Sequence, residues 1–160
     1  MRLAAALALA LLLTACAVPE HQTPGTPRAQ VVEALGAPTL AVPLAGGGER
    51  LIYSRQPAGQ QVYQIDFDAH ARLTRVEQVL TLAHFQALVP GVDTRESVRA
   101  QFGPPALVEH VARFDGDIWT YRIEDMGEPR QAHVHIDPAG VVRLVMFTDE
   151  QRGDPDSRAH

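Results

Sequence analysis

TPRAQVVEALGAP (26–38) and DTRESVRAQFGPP (93–105) are one pattern written twice, with Gly36 matching Gly103 at an offset of 67 residues. Each copy carries a capping residue, an apolar pair four residues apart (Val31 and Leu35; Val98 and Phe102), then Gly and Pro. The pattern reads as a short helix whose two ends are specified. Thr26 with Pro27 at the first helical position opens the first copy, and Asp93 with Glu96 as a capping box opens the second. Gly36 and Gly103 suit the left-handed conformation that closes a helix, and Pro38, Pro104 and Pro105 forbid its continuation. A helix of about nine residues does not hold alone, so each apolar pair must bury against a partner.

That partner follows in each half. TLAVPL, RLIYSRQ, QVYQIDF and RLTRVEQV come after the first helix, and ALVEHVARF, IWTYRI, AHVHI and VVRLVMF after the second. These are alternating, apolar-rich runs separated by Gly, Pro and Asp turns. Each half reads as a helix followed by three antiparallel strands. The expected fold is α+β: two repeated helix plus three-stranded modules, 26–80 and 81–150, either separate or joined in one continuous antiparallel sheet. Asp115-Gly116 and Asp137 to Gly140 are hairpin-turn signals. Leu51 and Tyr53 fall on Trp119 and Tyr121, on one face of the middle strand. Aromatic residues there suit an interface, but helices in need of a partner favour burial beneath them. TLAHFQALVPG (81–91) has no counterpart: Leu82, Phe85 and Leu88 at helical spacing give the second module an extra helix where the first has only a tether.

The start of the chain is of another kind. MRLAAALALALLLTAC (1–16) has one Arg, an apolar run from Leu3 to Leu13, and small residues before the only cysteine. This is the layout of a secretory signal peptide, too short to span roughly 30 Å of hydrocarbon as a permanent helix. Leu13-Thr14-Ala15-Cys16 resembles the bacterial lipobox, in which the Cys sulfur is acylated and the chain is cut before it; the alternative is an ordinary signal peptide cut near Ala15. On the lipobox reading residues 1–15 are removed, Cys16 is the lipidation site, and two or more acyl chains anchor stably in outer-membrane lipid. Ala17 stands where an Asp would mark inner-membrane retention. Residues 16–25, rich in proline and polar groups, read as a tether, and 151–160 as a disordered tail.

Composition narrows the chemistry. All fourteen basic residues are Arg and they are scattered, and the net charge of -5 becomes -6 once Arg2 is removed. That argues against a basic groove for nucleic acid. With Cys16 acylated no disulfide is available, so the fold must rest on packing. Ser54, Ser97 and Ser157 sit in no nucleophile elbow. His133 and His135 alternate along a strand without a third ligand at suitable spacing, and Asp66 with Asp68, or Asp115 with Asp117, read as turn formers rather than acid–base pairs. No catalytic residue, metal or cofactor is expected.

HFQALVPGVDTRESVRAQFGPPA, WTYRI behind it and AHVHIDPAGVV after that, with a lipobox in front, resemble the SmpA/OmlA (BamE-like) outer-membrane lipoproteins. Gly91, Asp93, Val98, Gly103, Pro105, Trp119, Tyr121, Asp137 and Gly140 carry the resemblance, which covers the second module almost completely. Asp93 stands where the commoner start has Thr, and this chain has two modules where BamE has one. The tandem layout is similar to that of the periplasmic β-lactamase inhibitory proteins, which usually rely on disulfides that this chain lacks. The resemblance implies a non-catalytic lipoprotein on the periplasmic face of the outer membrane, an accessory scaffold in β-barrel assembly or envelope integrity. The alternatives are an inhibitor of a periplasmic enzyme and a sensor or cell-wall ligand binder. Partners would dock through loops: Asp115, Gly116 and Asp117 on one side, and Asp125, Met126, Glu128 and Arg130 on the other.

Overall fold

The structure is a computed structural model and describes residues 18–150. The signal peptide, Cys16 and the tail from 151 to 160 lie outside the described residues. The fold is mixed α/β with strands dominating. Three short helices, α1 (Arg28–Leu35), α2 (Leu82–Gln86) and α3 (Arg95–Phe102), accompany two four-stranded antiparallel meanders. The first holds β1 (Leu40–Pro43), β2 (Glu49–Ser54), β3 (Val62–Phe67) and β4 (Leu73–Gln78); the second holds β5 (Leu107–Val111), β6 (Phe114–Asp125), β7 (Glu128–Ile136) and β8 (Val142–Asp149). Each half thus has four strands, not the expected three, and the sheets are separate. Strands β1 and β5 are edges, where Pro43 is tolerated because an edge residue need not donate to the ladder.

The helix ends follow the repeat with shifted caps. Pro27 is the N-cap of α1 rather than its first helical residue, and no side chain caps it. Instead the Arg28 N–H donates to the Ala71 carbonyl in the β3–β4 turn, 2.9 Å. The capping box of α3 is Thr94 with Ser97, not Asp93 with Glu96. Asp93 is drawn away because its carboxylate accepts from Val89 N at 2.7 Å and from the Ser97 hydroxyl at 2.8 Å. Gly36 and Gly103 close both helices at φ of 82° and 72°, the region that glycine enters at little cost.

The layers explain the burial. Leu51, Ile65 and Phe67 on one face of the first sheet bury against Val31 of α1. The opposite face contributes Ile52 and Val62 to a larger core with Val98 and Phe102 of α3 and Trp119, Tyr121 and Val134 of the second sheet. Helix α3 therefore lies between the sheets, where Gln64 Nε2 donates to the Gln101 carbonyl at 2.7 Å. Strand β3 is buried along its whole length because both its faces are covered. Trp119 and Tyr121 belong to this core rather than to the surface. Only part of the expected tether is free of the fold: Pro19–His21 form a 3-10 turn with Pro19 buried, Glu20 accepts from the Tyr63 hydroxyl, and Gly25 N donates to Leu73 O at 2.7 Å.

Candidate functional site

The repeat extends to individual hydrogen bonds. The Tyr53 hydroxyl donates to the Gly36 carbonyl at 3.0 Å, and the Tyr121 hydroxyl to the Gly103 carbonyl at 2.9 Å. Each bond ties the end of a module's helix to its second strand. At the other end, Arg28 N to Ala71 O (2.9 Å) is matched by Arg95 N to Gly140 O (2.8 Å), and Leu73 N to Thr26 O (2.9 Å) by Val142 N to Asp93 O (2.9 Å). The Arg28–Glu49 ion pair is matched by Arg95–Asp117. Of the carboxylates singled out in the sequence, Asp117 is spent on this frame.

That corrects one expected docking loop. Asp115, Gly116 and Asp117 are not a turn but part of β6; the turn is Ala112-Arg113, closed by the Val111–Phe114 pair. Asp117 is held by Arg95, 22 residues away, and Gly116 is needed where β6 passes the end of β7, since a Cβ there would meet the Ile136 carbonyl oxygen at 2.2 Å. The second expected loop is a real tip. Asp125 pairs with Glu128 across Met126 and Gly127, both at positive φ (52° and 83°), a two-residue turn whose twist suits a hairpin. Met126 is fully exposed. Arg130 bridges to Asp125 at 3.2 Å and to Asp149 at 3.4 Å, which stiffens the base of the tip.

The remaining sequence candidates also have structural partners. Asp66 receives both Nε and Nη2 of Arg50, at 2.6 and 2.8 Å, while Asp68 accepts from His70 N and Arg72 N in the β3–β4 turn. His133 lies between the hydroxyls of Thr120 (2.9 Å) and Thr148 (2.8 Å), and burial, partly opposed by Glu109, holds its pKa below the usual range. His135 stacks edge-on against Phe114. Among the described residues no three His, Cys, Asp or Glu side chains are placed to hold a metal ion. Around the histidines the outward face of the second sheet is open: Leu107, Leu144 and Met146 are each about half exposed, and no helix covers them.

A second feature was legible only as an absence. In the second module Phe85 of α2 stacks on Phe102 (ring centroids 4.2 Å apart) and tilts against Tyr121 (5.2 Å). In the first module the corresponding Leu35 and Tyr53 line an open cleft of about 280 Å³. Burial and then the Glu20 carboxylate push the phenol of Tyr63, at the same cleft, up to about 12.

No protein-family model matches the chain, and no curated protein does. Two solved structures are similar. One is a DUF4309 family protein (YjgB) from Bacillus subtilis subsp. subtilis str. 168, at 22% identity over 78% of this chain and 79% of that one, with a TM-score of 0.33. The other is an extracellular protein containing a SCP domain from Bacillus anthracis str. Ames, at 16% identity over 79% of this chain and 44% of that one, with a TM-score of 0.29. At these scores the likenesses carry no functional argument. Among the described residues no helix is long and apolar enough to cross a membrane.

Proposed function

We propose that the chain is a BamE-like outer-membrane lipoprotein, acylated on Cys16, that faces the periplasm and serves as a non-catalytic binding scaffold in β-barrel assembly or envelope integrity. The observation that carries this reading is the short lead from lipobox to fold. Val18, two residues after Cys16, already precedes a turn docked on the first sheet through the buried Pro19. An anchor at Cys16 would hold the domain against the headgroups, where partners fixed in the same membrane meet it at high effective concentration. The Arg–carboxylate pairs lie within each repeat, while Met126 and the open face of the second sheet remain for contact.

Cys16→Ala tests the anchor: metabolic labelling with a palmitate analogue is expected to be lost, and label that persists on the variant overturns it. Function is read as outer-membrane permeability to large antibiotics in a deletion strain. Rescue by the anchored chain and poor rescue by the unanchored one is the expected result. The exposed Met126-Gly127 tip favours one second reading, an inhibitor whose hairpin enters an enzyme cleft, and tight inhibition of a purified periplasmic hydrolase would select it.

A further inference from the structure

The cleft beside Tyr53 is the first module's version of a place that the second module fills from its own chain. Leu35 and Tyr53 correspond to Phe102 and Tyr121, the two residues that Phe85 covers. The first half has no counterpart to the segment that supplies Phe85; the chain enters there through Val18, a half-buried aliphatic residue immediately before Pro19. Pro19 lines one wall of the cleft but leaves about 280 Å³ open. Tyr121 is fully buried beneath its plug, whereas Tyr53 stays partly exposed with the same hydroxyl bond to a glycine carbonyl. The two places are lined differently, since Tyr63 stands opposite Tyr53 where Ala132 stands opposite Tyr121, but the second is filled by Phe85 and the first stays open.

The rim states a second requirement. Where the second module has Ile123, two residues after Tyr121, the first has Arg55, two residues after Tyr53. The Arg55 guanidinium donates one bond to Gln61 Oε1 at 3.0 Å and lies over the Tyr63 ring at 5.9 Å. The Glu20 carboxylate, held by the Tyr63 hydroxyl, feels the Arg55 charge, but among the described residues no carboxylate forms a direct ion pair with Arg55, so most of its five donors remain available. The Thr39 and Ser54 hydroxyls, also on the cleft, accept from Ser54 N and Gln56 N, which leaves their protons to donate. An apolar floor ringed by donors suits a ring with a carboxylate beside it.

We propose that this cleft is a docking site for a partner-protein segment that inserts an aromatic side chain against Leu35 and Tyr53 and sets an adjacent carboxylate on Arg55. The site goes beyond the anchored-scaffold reading and does not depend on acylation of Cys16. A volume of this size takes one or two side chains rather than a larger ligand, so the site selects short motifs and contributes part of an interface.

The test titrates the full chain with 3-phenylpropionate, which joins a phenyl ring to a carboxylate through two methylenes, and reads NMR shifts. The expected result is saturable binding in the millimolar range that moves Leu35 and Tyr53 resonances, with the neutral 3-phenylpropanamide about tenfold weaker. Arg55→Ile, which imports the second module's residue, is expected to erase the difference between acid and amide while leaving the melting temperature near that of the parent. Ala37→Trp, at the cleft mouth, is expected to abolish both. Equal binding of acid and amide to the parent, shifts confined to other surfaces, or no saturation overturns the proposal. Two results would name a different occupant and overturn it too: binding that appears only after removal of residues 1–15, or self-association that Ala37→Trp abolishes. An anchor that fails the palmitate test leaves these outcomes unchanged, so the two readings fail separately.

Discussion

The two modules share a frame and differ in how it is filled. Both close a helix on a glycine at positive φ, both bind that glycine's carbonyl with a tyrosine hydroxyl, and both pair an arginine at the helix start with a carboxylate on the second strand. The second adds α2, and with it Phe85, 0% exposed, over the tyrosine. Backbone-directed bonds fix the geometry of a repeat, while the choice of covering side chains decides which copy is core and which is surface. A duplicated scaffold can then keep one copy for stability and open the other for binding.

The sharpest way to break the comparison is to remove the plug. Phe85→Ala is expected to cost about 3–5 kcal/mol, since it strips a stacked ring from a closed core. Val18→Ala, next to Pro19 on the wall of the first module's open cleft, is expected to cost less than about 1 kcal/mol because Val18 is only half-buried. Urea unfolding of both variants checks this, and equal losses would show that the modules are packed alike.

The two glycines refine it. Gly36 and Gly103 share the same backbone strain, but a Cβ on Gly36 meets nothing within 4 Å, while one on Gly103 meets Ile52 Cγ2 at 3.3 Å. Gly36→Val is expected to cost about 1–2 kcal/mol from conformation alone, and Gly103→Val about 1 kcal/mol more from overpacking against β2. Thermal melts that place the two together would remove Ile52 from the account of how the sheets meet.

Much of this frame was legible in the sequence because its signals are local. Gly–Pro helix stops and the alternation of Leu51 with Tyr53 lie within a few residues of what they control, and the repeat shows the same local signals twice. The misreadings share a cause as well. Asp115-Gly116 carries turn chemistry, yet Asp117 is claimed by Arg95 and Gly116 by the passage of Ile136, contacts that only the folded sheet brings together. TLAVPL and ALVEHVARF are among the alternating runs, yet each half reads as three strands, and the proline of Leu40–Pro43 sits on an edge that tolerates it. The Asp93 box gave way because Thr94, one residue on, offered the better reciprocal pair with Ser97. The open cleft had one sequence signal, the lack of a first-half counterpart to TLAHFQALVPG, but its donor rim required the structure.

A smaller difference is expected from the tyrosine hydroxyls. Tyr121→Phe leaves the Gly103 carbonyl without its donor in a site closed to water, a loss of about 1–3 kcal/mol. Tyr53→Phe removes the same bond where water can replace it, and is expected to cost about 0.5 kcal/mol. Matched losses in denaturant melts would mean that the first cleft is closed in solution.

The smallest effect sits in the turns that receive the helix starts. Ala71 and Gly140 accept equivalent bonds from Arg28 N and Arg95 N, and both adopt positive φ, 56° and 82°. Only the second is a glycine, so the first module carries a strain that the second avoids. Ala71→Gly relieves roughly 1 kcal/mol of left-handed strain and returns part of it as the greater freedom of glycine in the unfolded chain, for a net gain of about 0.5 kcal/mol. For a chain of this size that raises the melting temperature by about 1–2 °C. Gly140→Ala runs the other way: a Cβ there meets only Arg95 Cβ at 3.9 Å, ordinary contact, so the variant isolates backbone strain from clash. Scanning calorimetry of the two variants is expected to show opposite shifts of similar size. A fall on Ala71→Gly would mean that the two turns do not bear the same strain, and the equivalence of the repeats would end at their hydrogen bonds.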